Sequence, residues 1–248
     1  MREQIHGTTM PVLSVHLDPG ESVVAEVGEF SWMTDSIQMS TNVGSCTGGR
    51  GLMGALKRVT GGSPLPMSTY TAQGAAGTIS FASKVPGSIL PVDVAPGSDY
   101  LVHRRGFLAG SPGIQISAGF QQSFRAGIFA GEGFVLQRIS GQGRAWAELS
   151  GEVIPYELAP GQSLRVHPGH VGMFQASVSF QVVRVPGITN RYFGGDAHHF
   201  AVLTGPGTVW LQSMPLPQLA AALSPFMGAV PDHRQAGAGA AAGSSGTC

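Results

Sequence analysis

The stretch VLSVHLDPGESVVAEVGEFSWM, residues 12–33, decides the fold of this chain. Around Pro19-Gly20 the apolar residues alternate, Val15 and Leu17 before it, Val23, Ala25 and Val27 after it. Period two over short runs is the pattern of strands buried on one face. Pro-Gly between such runs is a turn, because Pro presets φ at the first corner and Gly accepts the positive φ of the second. The same punctuation returns in ILPVDVAPGSDYLVHRRGFLAG (residues 89–110) at Pro96-Gly97, and in VIPYELAPGQSLRVHPGHVGMF (residues 153–174) at Pro160-Gly161. In each copy a Gly follows the Pro by nine or ten residues (Gly28, Gly106, Gly169), which marks a second tight turn or bulge.

A second signature closes each copy: GTISFAS from Gly77, GRAWAELS from Gly143 and GTVWLQS from Gly207. Pro and closing Gly stand 58, 47 and 47 residues apart, and the excess of 11 falls in the first copy, which holds the Gly-rich stretch 44–66. Self-similarity at a fixed period is an architectural signal. The expectation is an all-β fold of three similar antiparallel β units, bent ribbons or a sandwich, in a closed pseudo-threefold arrangement with few short helices. The unit boundaries are expected near 12–86, 87–151 and 152–216 of a single domain, 1–228.

Composition agrees. Of 248 residues, 37 are Gly and 17 are Pro, and only 11% are charged, against about 25% in ordinary domains. The aliphatic content is too high for disorder. Lys+Arg and Asp+Glu both number 14, so the net charge is zero. Nucleic-acid binding, which draws on a basic excess to release counterions, is disfavoured, and self-association meets little electrostatic opposition. Two cysteines, Cys46 and Cys248, make no disulfide framework. The N-terminus has no signal-peptide core and no run reaches about 18 apolar residues, so a cytoplasmic protein is expected.

Helix is expected only at residues 52–58, LMGALKR, and at LPQLAAALSPF. In the latter Pro217 suits the first helical position and Leu216, Leu219, Ala220 and Leu223 form one apolar face, with Pro225 ending it. The Gly/Ala-rich segment 229–248 lacks large apolar residues and is expected to be a disordered tail.

The repeat, together with GGRGLMGALKRVTGGSPLPMSTYTAQG (residues 48–74), GIFAGEGFVLQRISGQG (127–143) and LTGPGTVWLQSMPL (203–216), resembles the altered inheritance of mitochondria protein 24 family over residues 12–225. Its bacterial members fall in the tryptophan RNA-binding attenuation protein-like (TRAP-like) superfamily. The resemblance implies an all-β fold of repeated bent ribbons in a homotrimer, and brings no catalytic residue, cofactor or ligand. The inner-membrane role of mitochondrial members is not carried over, since no targeting presequence is read here.

Several constellations bear on chemistry. Gly49, Gly51 and Gly54 spell G-x-G-x-x-G, but no acid follows until Asp93, whereas a dinucleotide site needs one about 20 residues on. The same stretch carries Arg50, Lys57 and Arg58 with no acid between Asp35 and Asp93. Gly-rich backbone amides with three cations suit an anion or a lipid headgroup, and a solvated or subunit-contacting loop is the bland alternative. His167, His170, His198 and His199 raise a metal reading. Against it, adjacent strand residues face opposite sides, and His167 and His170 straddle Pro168-Gly169. Glu132 between two glycines reads as a turn residue rather than an acid catalyst. Trp146 and Trp210 hold equivalent places and read as core or inter-unit packing.

The function expected from these residues is a non-enzymatic oligomeric scaffold, with Arg50, Lys57 and Arg58 as candidate interaction loop. The partners are further copies, a protein, or an anionic membrane surface. No catalytic, metal or cofactor residue is assigned. The alternatives are a small-ligand or RNA-binding module and a metal-dependent cupin-like enzyme.

Overall fold

The computed structural model describes residues 1–42, 65–122, 134–184 and 199–226, most of them in strands. A leading strand β1 (Arg2–His6) precedes three units of six strands each. The first unit holds β2 (Val12–Leu17), β3 (Ser22–Glu26), β4 (Trp32–Met33), β5 (Ile37–Asn42), β6 (Met67–Ala72) and β7 (Gly77–Ala82). The second holds β8 (Gly87–Val94), β9 (Tyr100–His103), β10 (Phe107–Gly110), β11 (Ile114–Gln122), β12 (Phe134–Gly141) and β13 (Gly143–Ser150). The third holds β14 (Val153–Leu158), β15 (Ser163–Val166), β16 (Val171–Gln175), β17 (Ser179–Arg184), β18 (His199–Thr204) and β19 (Gly207–Gln212), with helix α1 (Leu216–Leu223) after it.

The three units share one pairing scheme, antiparallel throughout. The first strand pairs with the sixth (β2–β7, β8–β13, β14–β19) and the third also pairs with the sixth (β4–β7, β10–β13, β16–β19). The second and the fourth flank the fifth (β3–β6–β5, β9–β12–β11, β15–β18–β17). Register repeats to the residue: Leu17, Val94 and Leu158 face the closing glycines Gly77, Gly143 and Gly207. Trp32, Ala109 and Met173 face Ser80, Trp146 and Trp210.

The turns have the local cause read from the sequence. Glu21, Ser98 and Gln162 donate their N–H to the carbonyls of Asp18, Ala95 and Ala159 at 2.9, 2.8 and 3.0 Å. Gly20, Gly97 and Gly161 sit at φ of 85°, 85° and 78°. Pro at the second position with a positive-φ Gly at the third makes each a type II turn.

Units join through second and third strands. β3 meets β10 at Val24 and Gly110, and β9 meets β16 at Leu101 and Phe174. Two six-stranded sheets result, β5-β6-β3-β10-β13-β8 and β11-β12-β9-β16-β19-β14, capped by β1-β2-β7-β4 at one end and β15-β18-β17 at the other. Among the described residues a third junction, between β4 and β15, is not made inside the chain: the two strands edge different sheets. The units therefore form a row that strand pairing does not close within one chain.

Each core crosses a unit boundary. The first combines Leu13, Val15, Leu17, Ile79 and Phe81 with Ile89, Leu108 and Trp146 of the second unit. Trp146 is 1% exposed, and Trp210 packs on the second core, beside Tyr100. Both tryptophans therefore serve packing between units. Val27, expected to extend the alternation of β3, is exposed because the strand has already turned at Glu26. Helix α1 forms where expected, with none of its residues buried, and its Gln218 approaches His167. The helix expected at 52–58 and the tail at 229–248 lie outside the described residues.

Candidate functional site

Buried polar side chains gather where the first unit meets the second. The turn leaving β3 carries Glu26 at its first position and Glu29 at its fourth, closed by Glu29 N–H donating to the Glu26 carbonyl at 3.2 Å. Gln137 on β12 reaches across to donate from Nε2 to Glu26 Oε1 at 2.6 Å. The Glu29 carboxylate pairs with Lys84 Nζ. Lys84 lies in the link between β7 and β8, and its backbone N–H donates to Glu148 Oε1 on β13 at 2.8 Å. Five side chains from four segments thus meet at one boundary.

Burial sets their electrostatics. Desolvation pushes the Glu26 carboxyl above its ordinary range; the Gln137 amide opposes the shift and the Glu29 charge adds to it. Desolvation also raises Glu148, against the backbone bond and the charge of Lys84. His103, on β9, is pushed down by burial, while contacts from its ring nitrogens to the Arg104 and Glu148 carbonyls, at 2.8 and 3.0 Å, pull the other way.

Carboxyls held toward their neutral form are material for proton transfer. Here their oxygens tie unit to unit. The second junction makes the point with a neutral group: Ser150 N–H donates to Gln212 Oε1 at 3.1 Å. Ser150 and Gln212 stand seven and five residues after their closing glycines, as Lys84 and Glu148 do. Gln212 also donates from Nε2 to the Gly169 carbonyl at 3.0 Å. An amide fills the slot as well as a carboxylate, so the slot itself asks for an acceptor rather than for a charge.

The histidines singled out from sequence have local partners. His170 Nδ1 is 2.8 Å from the Gln212 carbonyl, and Gly169 N–H donates to His167 Nδ1 at 3.4 Å. The two rings meet edge to face at 5.8 Å. His199 begins β18, opposite Arg184. Arg50, Lys57, Arg58, Glu132 and His198 lie outside the described residues. Among the described residues no group of three His, Cys, Asp or Glu side chains could hold a metal ion, and no helix is long and apolar enough to cross a membrane.

The remaining feature is apolar. At the unpaired edge β4, Trp32 is 54% exposed, with Phe30 and Val27 also exposed nearby in the chain. The equivalent strands β10 and β16 are buried between two neighbours. Sequence reasoning singled out neither this edge nor Glu26, Lys84, Gln137 and Glu148.

A family model described as Mitochondrial biogenesis AIM24 matches residues 3–214. No curated protein matches the chain. Among solved structures, the crystal structure of a Streptococcus pyogenes protein is similar at 20% identity with a TM-score of 0.72, covering 91% of this chain and 99% of that one. At that identity the likeness concerns the fold.

Proposed function

We propose that this chain, which belongs to the AIM24 family, is a non-enzymatic scaffold that assembles with copies of itself and presents a loop to a partner protein or an anionic membrane surface. One observation carries the reading: Glu26, Gln137, Glu148 and Gln212 are engaged in joining unit to unit, while the free end of the row leaves Trp32 half exposed. Zero net charge supports association. A homotrimer is the proposed state. Arg50, Lys57 and Arg58 are the proposed contact with anionic lipid, since three cations stand in a Gly-rich stretch with no acid between Asp35 and Asp93. Each cation near such a surface contributes about 1 kcal/mol.

Light scattering combined with flotation on vesicles containing anionic lipid tests this. The expected mass is three times the 25.6 kDa of the chain, with flotation lost and mass unchanged in the combined Arg50→Glu, Lys57→Glu, Arg58→Glu variant. A monomer refutes the scaffold. Loss of the oligomer in that variant assigns the loop to the interface instead, and no effect on either removes it as a contact.

A further inference from the structure

Three carboxyls crowd the first junction: the Glu29 charge acts on both Glu26 and Glu148, Glu29 holds Lys84, and the Arg104 charge acts on Glu26. Among the described residues no three His, Cys, Asp or Glu side chains are placed to share a metal ion, and a proton needs no such set of ligands. An observation of a different kind points to the proton. Gln137 is 6% exposed and donates from Nε2 to Glu26 Oε1 at 2.6 Å, yet its own Oε1 is buried with no hydrogen-bond partner. Buried acceptors are met in folded proteins, and an unmet one is costly. A carboxylate has only acceptors to offer that oxygen, whereas a carboxylic acid has an O–H.

We infer that Glu26 keeps its proton in the folded chain and donates its O–H to Gln137 Oε1, closing an acid–amide pair that latches the first unit to the second and opens when the proton leaves. The latch stands apart from the scaffold reading, because it joins units of one chain. It bridges the two six-stranded sheets, since Glu26 ends β3 and Gln137 lies on β12. In the closed pair each group gives one hydrogen bond and takes one. Once the proton is gone, the bond from Gln137 Nε2 remains, and Gln137 Oε1 faces a carboxylate that can only accept.

The surroundings favour the closed form. Desolvation holds the Glu26 carboxyl above its ordinary range and the Glu29 charge adds to this, against the Gln137 amide, Lys84 and Arg104. Glu148 is raised in the same direction, but its Oε1 accepts from the Lys84 N–H, a bond open to either protonation state. Tyr70, on β6, lies within reach of the Glu29 charge and burial raises its phenol, so it stays neutral. His103 is pushed down by burial and is uncharged above its ordinary range. A folded value above the unfolded one means that the latch is closed below the unfolded value and opens as pH rises through the folded one. The second junction has no such pair. The residue seven after the turn Pro is Glu26 in the first unit and His103 in the second, and the residue six before the closing Gly is Gln137 in the second unit and Ala201 in the third. Gln212, an amide that does not titrate, does the fastening there.

Hydrogen exchange of the full chain, read by mass spectrometry and corrected for the intrinsic effect of pH on exchange, follows the two junctions separately. Between about pH 4.5 and about pH 8, peptides covering β3 and β12 are expected to lose protection by about tenfold, while those covering β16 and β19 keep theirs. Glu26→Gln, whose amide can pair with Gln137 at any pH, is expected to abolish the change and to hold the low-pH protection throughout. Infrared difference spectra over the same range read the proton itself: a carboxylic-acid carbonyl band is lost as pH rises, and its Glu26 share is missing in Glu26→Gln and kept in Glu148→Gln. Gln137→Met gives an independent decision should Glu26→Gln not fold, since it is expected to show the unlatched exchange at every pH. Protection at the first junction that does not change with pH overturns the inference. So does a change that survives Glu26→Gln or Gln137→Met, or one of equal size at both junctions.

Discussion

Glu3 is the residue through which the leading strand holds the second unit, and its removal has a calculable effect. Its Oε1 accepts from Arg144 Nη2 at 2.9 Å and its Oε2 from the Trp146 indole Nε1 at 2.5 Å. Glu3→Ala leaves that indole N–H without its acceptor at the edge of the first core, and an orphaned buried donor costs roughly 1–3 kcal/mol. The Arg144–Glu3 pair adds little: its side chains are 34% and 30% exposed, which places it near the ~0–1 kcal/mol of surface pairs. Arg144 also keeps Asp93 at 2.8 Å. The sum is about 1–4 kcal/mol, or a Tm lower by roughly 2–16 °C for a chain of this size. Urea unfolding at fixed protein concentration measures it, since association makes apparent stability concentration-dependent. Trp146→Phe supplies the control by removing the donor. In that background Glu3→Ala is expected to cost about 1 kcal/mol or less, a coupling of at least about 1 kcal/mol between neighbouring sites. Equal cost in both backgrounds refutes the reasoning. So does a cost under about 0.5 kcal/mol with hydrogen-exchange protection of β1 intact, because a frayed β1 would admit water to the indole.

Two further outcomes follow from the first junction. Glu26 and Glu148 have folded-state pKa values above the ordinary 4.5, so the native state binds their protons more tightly than the unfolded chain does. Their contribution is fully present below the unfolded value and is lost as pH rises through the folded values. Urea titrations from pH 4.5 to 7 are therefore expected to show this share of stability falling as pH rises, and Glu148→Gln, which copies the amide at Gln212, to flatten the slope and raise stability at pH 7. A Cβ added at Gly87 would lie 2.1 Å from the Leu149 carbonyl oxygen across the ladder. Gly87→Ala is accordingly expected to lower the unfolding free energy by about 1–3 kcal/mol, as overpacking does, which the same titrations read directly.

The turns were legible in the sequence because their cause is local: Pro at one corner and Gly at the next leave few conformations, and all three formed the same bond. The closing strands were legible because their period and spacing recur. The order of strands across a sheet was not, since the joins of β3 to β10 and β9 to β16 rest on edges meeting far along the chain. The polar cluster escaped for the same reason, with Gln137 and Glu26 separated by 111 positions and Lys84 and Glu148 by 64. One signal lay in reach. Aligned on the closing glycines, the fifth residue onward reads Ala82, Glu148 and Gln212, and a polar side chain recurring on a mostly buried strand asks for a partner.

That slot also distinguishes the three units. Glu148 fastens the first junction and Gln212 the second, each accepting from the backbone of the preceding unit. At the first unit's own free end the slot holds Ala82, whose methyl group accepts nothing. Strand pairing at that edge, where Trp32 is half exposed, is therefore without the side-chain bond that fastens the other two. By varying a single position, the sequence therefore fastens the two junctions inside the chain and leaves the outer edge of the first unit without that bond.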